Sequence, residues 1–208
     1  MTGAFLAGLV AGYGVAIPVG AIAILILGLS ARTSFRVGSA AALGVATADG
    51  LYAAVAALGG AAVASGLAPF AGPLRLVAAG VLLGLACLTA WRALRPPAPT
   101  PEPSARGGLD TPVRAFAAVL GLTLLNPATV VYFVALVLGR GDVLGSGGAG
   151  ATAFTAGVFL ASASWQLLIA GGGSLIGRAL TGPRGRRVTA LLSSAIIAAL
   201  AVATVLDV

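Results

Sequence analysis

The sequence predicts an all-α membrane protein of six transmembrane helices, arranged as two inverted three-helix repeats with both termini outside. Three observations predict this fold: an apolar composition, six apolar segments of membrane-spanning length, and a common pattern in the two halves of the chain. Of the 208 residues, 59% are hydrophobic and 8% are charged, whereas a soluble domain carries roughly 25% charged residues. Such a chain has too little polar surface to cover a soluble core, so lipid is the expected solvent for most of it.

Six apolar segments are long enough to cross a hydrocarbon core of about 30 Å, which takes about 20 helical residues. They run from about Gly3 to Leu29, Gly38 to Ala62, Pro73 to Trp91, Arg114 to Leu138, Ala149 to Ser174 and Val188 to Leu206. The first segment has no cationic residue before it, so we expect it to remain as a helix rather than to be cleaved as a signal peptide.

The loops between these segments carry nearly all of the charge. The longest loop contains five prolines between Pro96 and Pro103, a composition that is typical of an extended linker. We therefore expect a first three-helix repeat over residues 1–92, a proline-rich cytoplasmic linker over residues 93–113, and a second three-helix repeat over residues 114–208.

The orientation in the membrane follows from the arginines, which are the only basic residues of the chain. Ten of the 12 lie in the loops after the first, third and fifth segments, and the other two are Arg75 and Arg140. Because short arginine-rich loops stay in the cytoplasm, both termini are expected outside. The net charge of +7 is then explained by topology and by contact with anionic lipids, and no nucleic-acid partner is expected.

The two halves of the chain can be aligned, with an offset of 113 residues between the second and fifth segments. Four pairs of residues then fall opposite each other: Gly44 and Gly157, Asp49 and Ser162, Tyr52 and Trp165, and Gly59 and Gly172. In the first and fourth segments, Pro18 falls opposite Pro127 with an offset of 109, and the longer loop of the second half absorbs the difference. Strings rich in glycine and alanine align easily, but the matched aromatic residues and prolines favour a true repeat. Three helices per half invert the second half in the membrane, as in proteins whose sites lie where inverted repeats meet.

Asp49 is the only acidic residue deep inside a predicted span. An acid at the membrane centre costs about 2.5–3.5 kcal/mol on insertion scales, so we expect it to face the bundle interior or water. The low dielectric favours the neutral carboxylic acid, and a group poised in this way can exchange a proton or bind a cation. The alternative is a carboxyl group that only holds neighbouring helices together.

Other polar or helix-breaking residues lie near the same depth. A proline inside a helix removes a backbone hydrogen bond, and the freed carbonyl groups can bind a ligand where they line a cavity; the alternative is a packing kink. Gln166 needs a polar partner inside the membrane, which could be a ligand or another helix. The predicted substrate- or ion-binding residues are Asp49, Pro18, Gly20, Asn126, Pro127, Tyr52, Tyr132, Ser162, Trp165 and Gln166.

Three motifs carry a resemblance to a known family: Ile17-Pro18-Val19-Gly20, Gly44-x4-Asp49-x2-Tyr52 and Leu125-Asn126-Pro127-x4-Tyr132-Phe133. With them the chain resembles the lysine exporter (LysE/RhtB) family of amino-acid exporters over nearly its whole length. The resemblance implies a multi-pass secondary transporter of the cell (plasma or inner) membrane. It would export an amino acid or related small metabolite, coupled to the proton or membrane-potential gradient.

The first motif departs from the pattern of many members of that family. They carry Pro-Gly-Pro where this chain has Pro18-Val19-Gly20, which is nearer the lysine-exporter branch than the homoserine/threonine branch. The identity of the substrate is therefore left open.

Other function classes have less support in the sequence. An enzyme or a thiol–disulfide carrier would need a Ser/His, His/Glu or cysteine pair, and the chain has no histidine and one cysteine, Cys87. We therefore expect no enzymatic activity, no cofactor and no metal. A transporter of another small ion or metabolite, or a non-catalytic channel or accessory membrane protein, stays open. The expected partners are a small-molecule substrate and the lipid bilayer, with a homodimer left open.

Overall fold

The computed structural model describes residues 1–18, 21–67, 71–95, 108–140, 148–172 and 183–206. In these ranges the chain forms eight α-helices and no strand, so the predicted all-α class is confirmed there. The helices are α1 (Thr2–Ala16), α2 (Ala21–Arg32), α3 (Phe35–Leu67), α4 (Ala71–Leu94), α5 (Pro112–Leu124), α6 (Pro127–Arg140), α7 (Gly148–Gly171) and α8 (Pro183–Leu206).

Two of these helices are long and apolar enough to cross a membrane unaided: α3, over Phe35–Gly59, and α7. Two more spans result if each of the bent pairs α1–α2 and α5–α6 counts as one, with bends of 82° and 62°. The apolar parts described for α4 and α8 are shorter, Ala79–Trp91 and Arg187–Val202. By length and composition, the described residues thus contain two spans, or up to four.

Both bent pairs are interrupted at a proline that the sequence predicts to break a helix. α1 ends at Ala16, two residues before Pro18, and α6 begins at Pro127 after α5 has ended at Leu124. A proline has no N–H group, and its ring clashes with the carbonyl group four residues earlier. A continuous helix through either position is therefore disfavoured, and the chain changes direction at both.

Glycines bring two pairs of helices into close contact, because α1 packs along α7 and α5 packs along α3. A Cβ atom at Gly44 of α3 would lie 2.7 Å from the carbonyl oxygen of Phe116 in α5. One at Gly12 of α1 would lie 2.8 Å from the carbonyl oxygen of Val158 in α7. Glycine is thus what lets these backbones approach, as small residues do in other membrane helix pairs.

The buried apolar side chains form two clusters. The first joins α1, α4, α6 and α8 to the second half of α3 and the first half of α7, around Leu82 and Phe154. The second joins α2 and α5 to the first half of α3 and the end of α7, around Ile26 and Val119. Each bent pair therefore contributes one helix to each cluster, and the breaks lie at the level between them.

Candidate functional site

A cavity of about 490 Å³ lies at the level of both helix breaks. This volume is within the range of roughly 300–1,000 Å³ that is usual for small-molecule sites. Val15, Ala16 and Pro18 line it at the α1–α2 break. The wall is mostly apolar, and the polar side chains on it are those of Asp49, Thr123, Asn126, Thr129 and Gln166.

Asp49 lies near the middle of α3 and is 2% exposed. Its Oδ2 accepts a hydrogen bond of 2.7 Å from Oγ of Ser162 in α7, which is fully buried. This bond joins α3 and α7, the two described helices that are long and apolar enough to span a membrane unaided. Because Asp49 also lines the cavity, its carboxyl group is shielded from lipid, held by one hydroxyl group and placed where a ligand could reach it.

The break between α5 and α6 is organised by Asn126. Its Oδ1 accepts a hydrogen bond from the N–H of Ala128 at 3.2 Å, and its carbonyl oxygen accepts one from the N–H of Thr129 at 3.1 Å. Its own N–H donates to Thr123 O at 3.1 Å, whereas a continuous helix would pair it with Leu122 O. The break therefore presents a carbonyl group without its usual donor, and the first amides of α6 are already satisfied.

Gln166 follows Ser162 by one turn and so shares its face of α7. It is 5% exposed and lines the cavity, yet its Oε1 is buried with no hydrogen-bond partner among the described residues. A buried acceptor without a donor is uncommon, because it forfeits about 1–3 kcal/mol. The Nε1 atom of Trp165 is also buried without a partner in the same ranges, but Trp165 does not line this cavity.

Three aromatic residues lie beyond the cavity, in the direction of the start of α1 and the ends of α3 and α6. We call these residues, Tyr52, Tyr132 and Phe133, the aromatic cluster. Tyr52 stacks on Phe133 with ring centroids 5.8 Å apart, and Tyr132 meets Phe133 edge-on at 5.3 Å. The Tyr132 hydroxyl donates to Ala11 O at 2.8 Å, and the Tyr52 hydroxyl donates to Leu124 O at 2.6 Å. The aromatic cluster thus ties α6 to α1 and α3 to α5.

The residues predicted for the site are distributed around this cavity. Four of them line it: Pro18, Asp49, Asn126 and Gln166. Ser162 reaches it through its hydrogen bond to Asp49. Three lie beyond its wall: Tyr52, Tyr132 and Trp165. Gly20 and the side chain of Pro127 lie outside the described part of the structure.

The sequence prediction did not include Thr123 and Thr129, which line the cavity on either side of the α5–α6 break and are both buried. Each is three residues from Asn126. In an unbroken helix that spacing places side chains on one face, so a signal was present in the sequence, although the break separates Thr123 in α5 from Thr129 in α6. It was obscured because threonine is common in membrane helices, where its hydroxyl group bonds to the preceding turn, as that of Thr123 does with Val119 O at 2.8 Å.

Comparison with known proteins gives one match. The family described as LysE type translocator matches residues 14–207, a range that includes both helix breaks, the cavity and the aromatic cluster. No curated protein and no solved structure matches the chain. The family match confirms the resemblance carried by the three sequence motifs. The chain therefore belongs to the LysE type translocator family, whose members are membrane transporters of amino acids or other small metabolites.

Proposed function

We propose that this protein is a secondary active transporter that exports an amino acid or related small metabolite across the cell membrane. The observation that carries the proposal is a cavity of about 490 Å³ that lies at two helix breaks and has a buried acid, Asp49, on its wall. In secondary transporters, the substrate site lies near the membrane midplane between repeats and is formed by discontinuous helices.

The driving force we propose is the proton gradient or the membrane potential, with Asp49 as the coupling group. Asp49 can change its charge within the cycle by taking up a proton or a cation. The chain has no histidine, and Asp49 is the acid on the described wall of the cavity. Ionisable residues inside membrane spans commonly mark proton and ion pathways.

The architecture we propose has six transmembrane helices in two inverted repeats, residues 1–92 and 114–208, joined by a cytoplasmic linker. Support comes from two glycines whose contacts match in residue type and spacing: Gly44 with Phe116 and Leu120, and Gly157 with Phe5 and Leu9. The α1–α7 contact thereby mirrors the α5–α3 contact. The contacting residues of α1 and α5 are offset by 111 residues, two more than the offset of 109 that pairs Pro18 with Pro127.

The hydrogen bond between Asp49 and Ser162 gives independent support for the repeat. These two residues fall opposite each other in the alignment of the halves, with a separation of 113 residues, and they bond directly to each other. Equivalent residues touch only where a two-fold axis passes between them. In the proposed architecture this axis crosses the α3–α7 contact beside the cavity.

Two further features agree with six spans and with the proposed orientation. α4 and α8 have 24 residues each, which corresponds to about 36 Å of helix at about 1.5 Å per residue. Ten of the 12 arginines lie in the three loops proposed to be cytoplasmic. The start of α1 and the end of α3 would then face outward, and the aromatic cluster would lie on the outer side of the cavity.

The function is tested by efflux from proteoliposomes loaded with single amino acids, with and without a pH gradient. We expect wild type to release at least one of them faster in the presence of the gradient and Asp49→Asn to lose that response. Asp110→Asn is the matched control, because Asp110 is an exposed acid outside the helices. Unchanged, gradient-dependent efflux by Asp49→Asn would contradict the coupling role, and no efflux by wild type would contradict transport.

The orientation is tested separately by thiol labelling of intact cells. Cys87 is the one cysteine of the chain, so Cys87→Ser provides a background for Arg106→Cys in the linker. We expect a membrane-impermeant reagent to label this thiol only after the membrane is opened. Labelling in intact cells would reverse the proposed topology.

A further inference from the structure

We propose that Asp49 and Gln166 together bind the primary ammonium group of the substrate. The inference rests on the proposed function, because both residues line the proposed transport cavity. It goes further by stating which end of the substrate these residues hold and by giving Gln166 a role in recognition.

The first argument is the relative position of the two residues. Ser162 donates to Asp49 Oδ2 at 2.7 Å and thereby fixes the carboxyl group against α7. Gln166 is one turn further along the same face of α7, and it lines the same cavity as Asp49. A residue with a carboxyl group and one with a side-chain amide therefore line the same cavity where α3 contacts α7.

The second argument is the hydrogen-bonding chemistry of this part of the wall. Gln166 Oε1 is buried and has no donor in the described ranges, and Asp49 presents a carboxyl group whose described partner is one hydroxyl. Leu122 also lines the cavity, and its carbonyl group has lost its usual helical donor, because the N–H of Asn126 donates to Thr123 O instead. An ammonium group has three N–H donors and no acceptor, so it complements such a set of acceptors.

The third argument concerns charge. No lysine or arginine is found among the described residues that line the cavity. The carboxylate end of an amino acid would therefore find no cationic side chain there, and it would be repelled by an ionised Asp49. An ammonium group would be attracted to the same residue, with no competing cation on the described wall.

The probe for the test is n-butylammonium chloride, added to the purified full-length protein. Its binding is measured as a saturable rise in the midpoint of thermal unfolding, and equal concentrations of tetramethylammonium chloride and sodium chloride are compared. We expect a rise with n-butylammonium alone. Tetramethylammonium has the charge without an N–H group, and sodium distinguishes an inorganic cation site from an ammonium site.

Variants of Gln166 test its role. Gln166→Met keeps a side chain of similar length without the amide, and we expect the Kd for n-butylammonium to rise about tenfold. Gln166→Glu restores an acceptor and should bind at least as tightly as wild type. Ser39→Ala is the matched control, since Ser39 Oγ is another buried atom with no partner in the described structure, but Ser39 does not line the cavity.

Several outcomes would overturn the inference. They are no rise with n-butylammonium, equal rises with all three cations, a rise with sodium alone, and an increase in Kd for Ser39→Ala as large as that for Gln166→Met. Efflux by wild type without n-butylammonium binding would remove the ammonium site and leave the transport proposal intact. Binding without efflux of any loaded amino acid would leave the ammonium site and contradict transport.

Discussion

Removal of the Tyr132 hydroxyl group is expected to open the cavity on the side of the aromatic cluster. This hydroxyl is buried and donates to Ala11 O at 2.8 Å, which joins α6 to α1 beyond the cavity wall. Tyr132→Phe keeps the ring and its edge-on contact with Phe133. The loss is therefore one buried hydrogen bond, about 1 kcal/mol. With this bond present only when the cavity is closed on the side of the aromatic cluster, its loss raises the population of the state that is open on that side about fivefold.

The opening is measured with a membrane-impermeant thiol reagent in proteoliposomes. Thr129→Cys places a thiol on the cavity wall, in a Cys87→Ser background. We expect Tyr132→Phe to raise the labelling rate from the side of the aromatic cluster about fivefold. Ser193→Ala is the matched control, because the Ser193 hydroxyl group is also buried and also donates to α1, to Gly14 O at 2.8 Å. Ser193 differs from Tyr132 in that it lies in α8, outside the aromatic cluster.

Two results would refute this reasoning. An unchanged labelling rate in Tyr132→Phe, together with the expected loss of about 1 kcal/mol in unfolding free energy, would show that the bond stabilises the fold without controlling access. An equal rise in Ser193→Ala would show that any weakening of the contacts of α1 opens the cavity. The aromatic cluster would then have no special part in closing it.

The helix crossings and the partner of Asp49 can be tested in the same preparation. Gly157→Ala should lower the unfolding midpoint measured by circular dichroism, because its Cβ would meet a backbone carbonyl group of α1 and overpacking costs about 1–3 kcal/mol. Gly121→Ala is the control and should be neutral or stabilising, since nothing lies within 4 Å of its Cβ. Equal unfolding midpoints for the two variants would contradict the close helix crossing. Ser162→Ala removes the donor to Asp49 and should reduce proteoliposome efflux more than Ser193→Ala, which loses an equally buried hydroxyl. Equal reductions would indicate a general packing effect.

The positions of the helix breaks could be predicted from the sequence because proline acts locally. Neither Pro18 nor Pro127 can donate the backbone hydrogen bond that a helix needs, whatever the surrounding fold, and α1 and α5 both end just before these residues. The burial of Asp49 was predictable for a similar reason, since a carboxyl group in an apolar segment is disfavoured facing lipid. Its hydrogen bond to Ser162 was not predicted, because the alignment of the two halves makes these residues equivalent and equivalence alone does not imply contact.

The arrangement of the aromatic residues could not be predicted in the same way. A proline interrupts a helix without setting the angle at which the chain continues, and here the two bends differ, at 82° and 62°. The angle at the second break decides what Tyr132 reaches, which is a carbonyl group of α1 rather than the cavity. Tyr52 shares a helix face with Asp49 but is long enough to reach the last turn of α5.

The lack of a partner for the amide oxygen of Gln166 among the described residues was also not predictable from the sequence. An amide in an apolar segment is expected to find a partner on another helix, and its sequence position does not reveal whether it does. In the described residues its Oε1 has none, while the hydroxyl groups of Ser162 and Ser193, in comparable apolar surroundings, are both paired. Which buried polar groups find a partner depends on how the helices pack, which no local pattern encodes.

The strongest reason to regard the cavity as a binding site is that its destabilising residues lie together. An acid at the centre of a membrane span costs about 2.5–3.5 kcal/mol, and an unpaired buried amide oxygen costs about 1–3 kcal/mol. Pro18 lies after the end of α1 and prevents that helix from continuing through the apolar segment. A bundle selected only for stability would gain by replacing Asp49, Pro18 and Gln166 with apolar helix formers. All three instead line one cavity. This concentration supports the proposal of a ligand that uses the carboxyl group, the interrupted helix and the amide together.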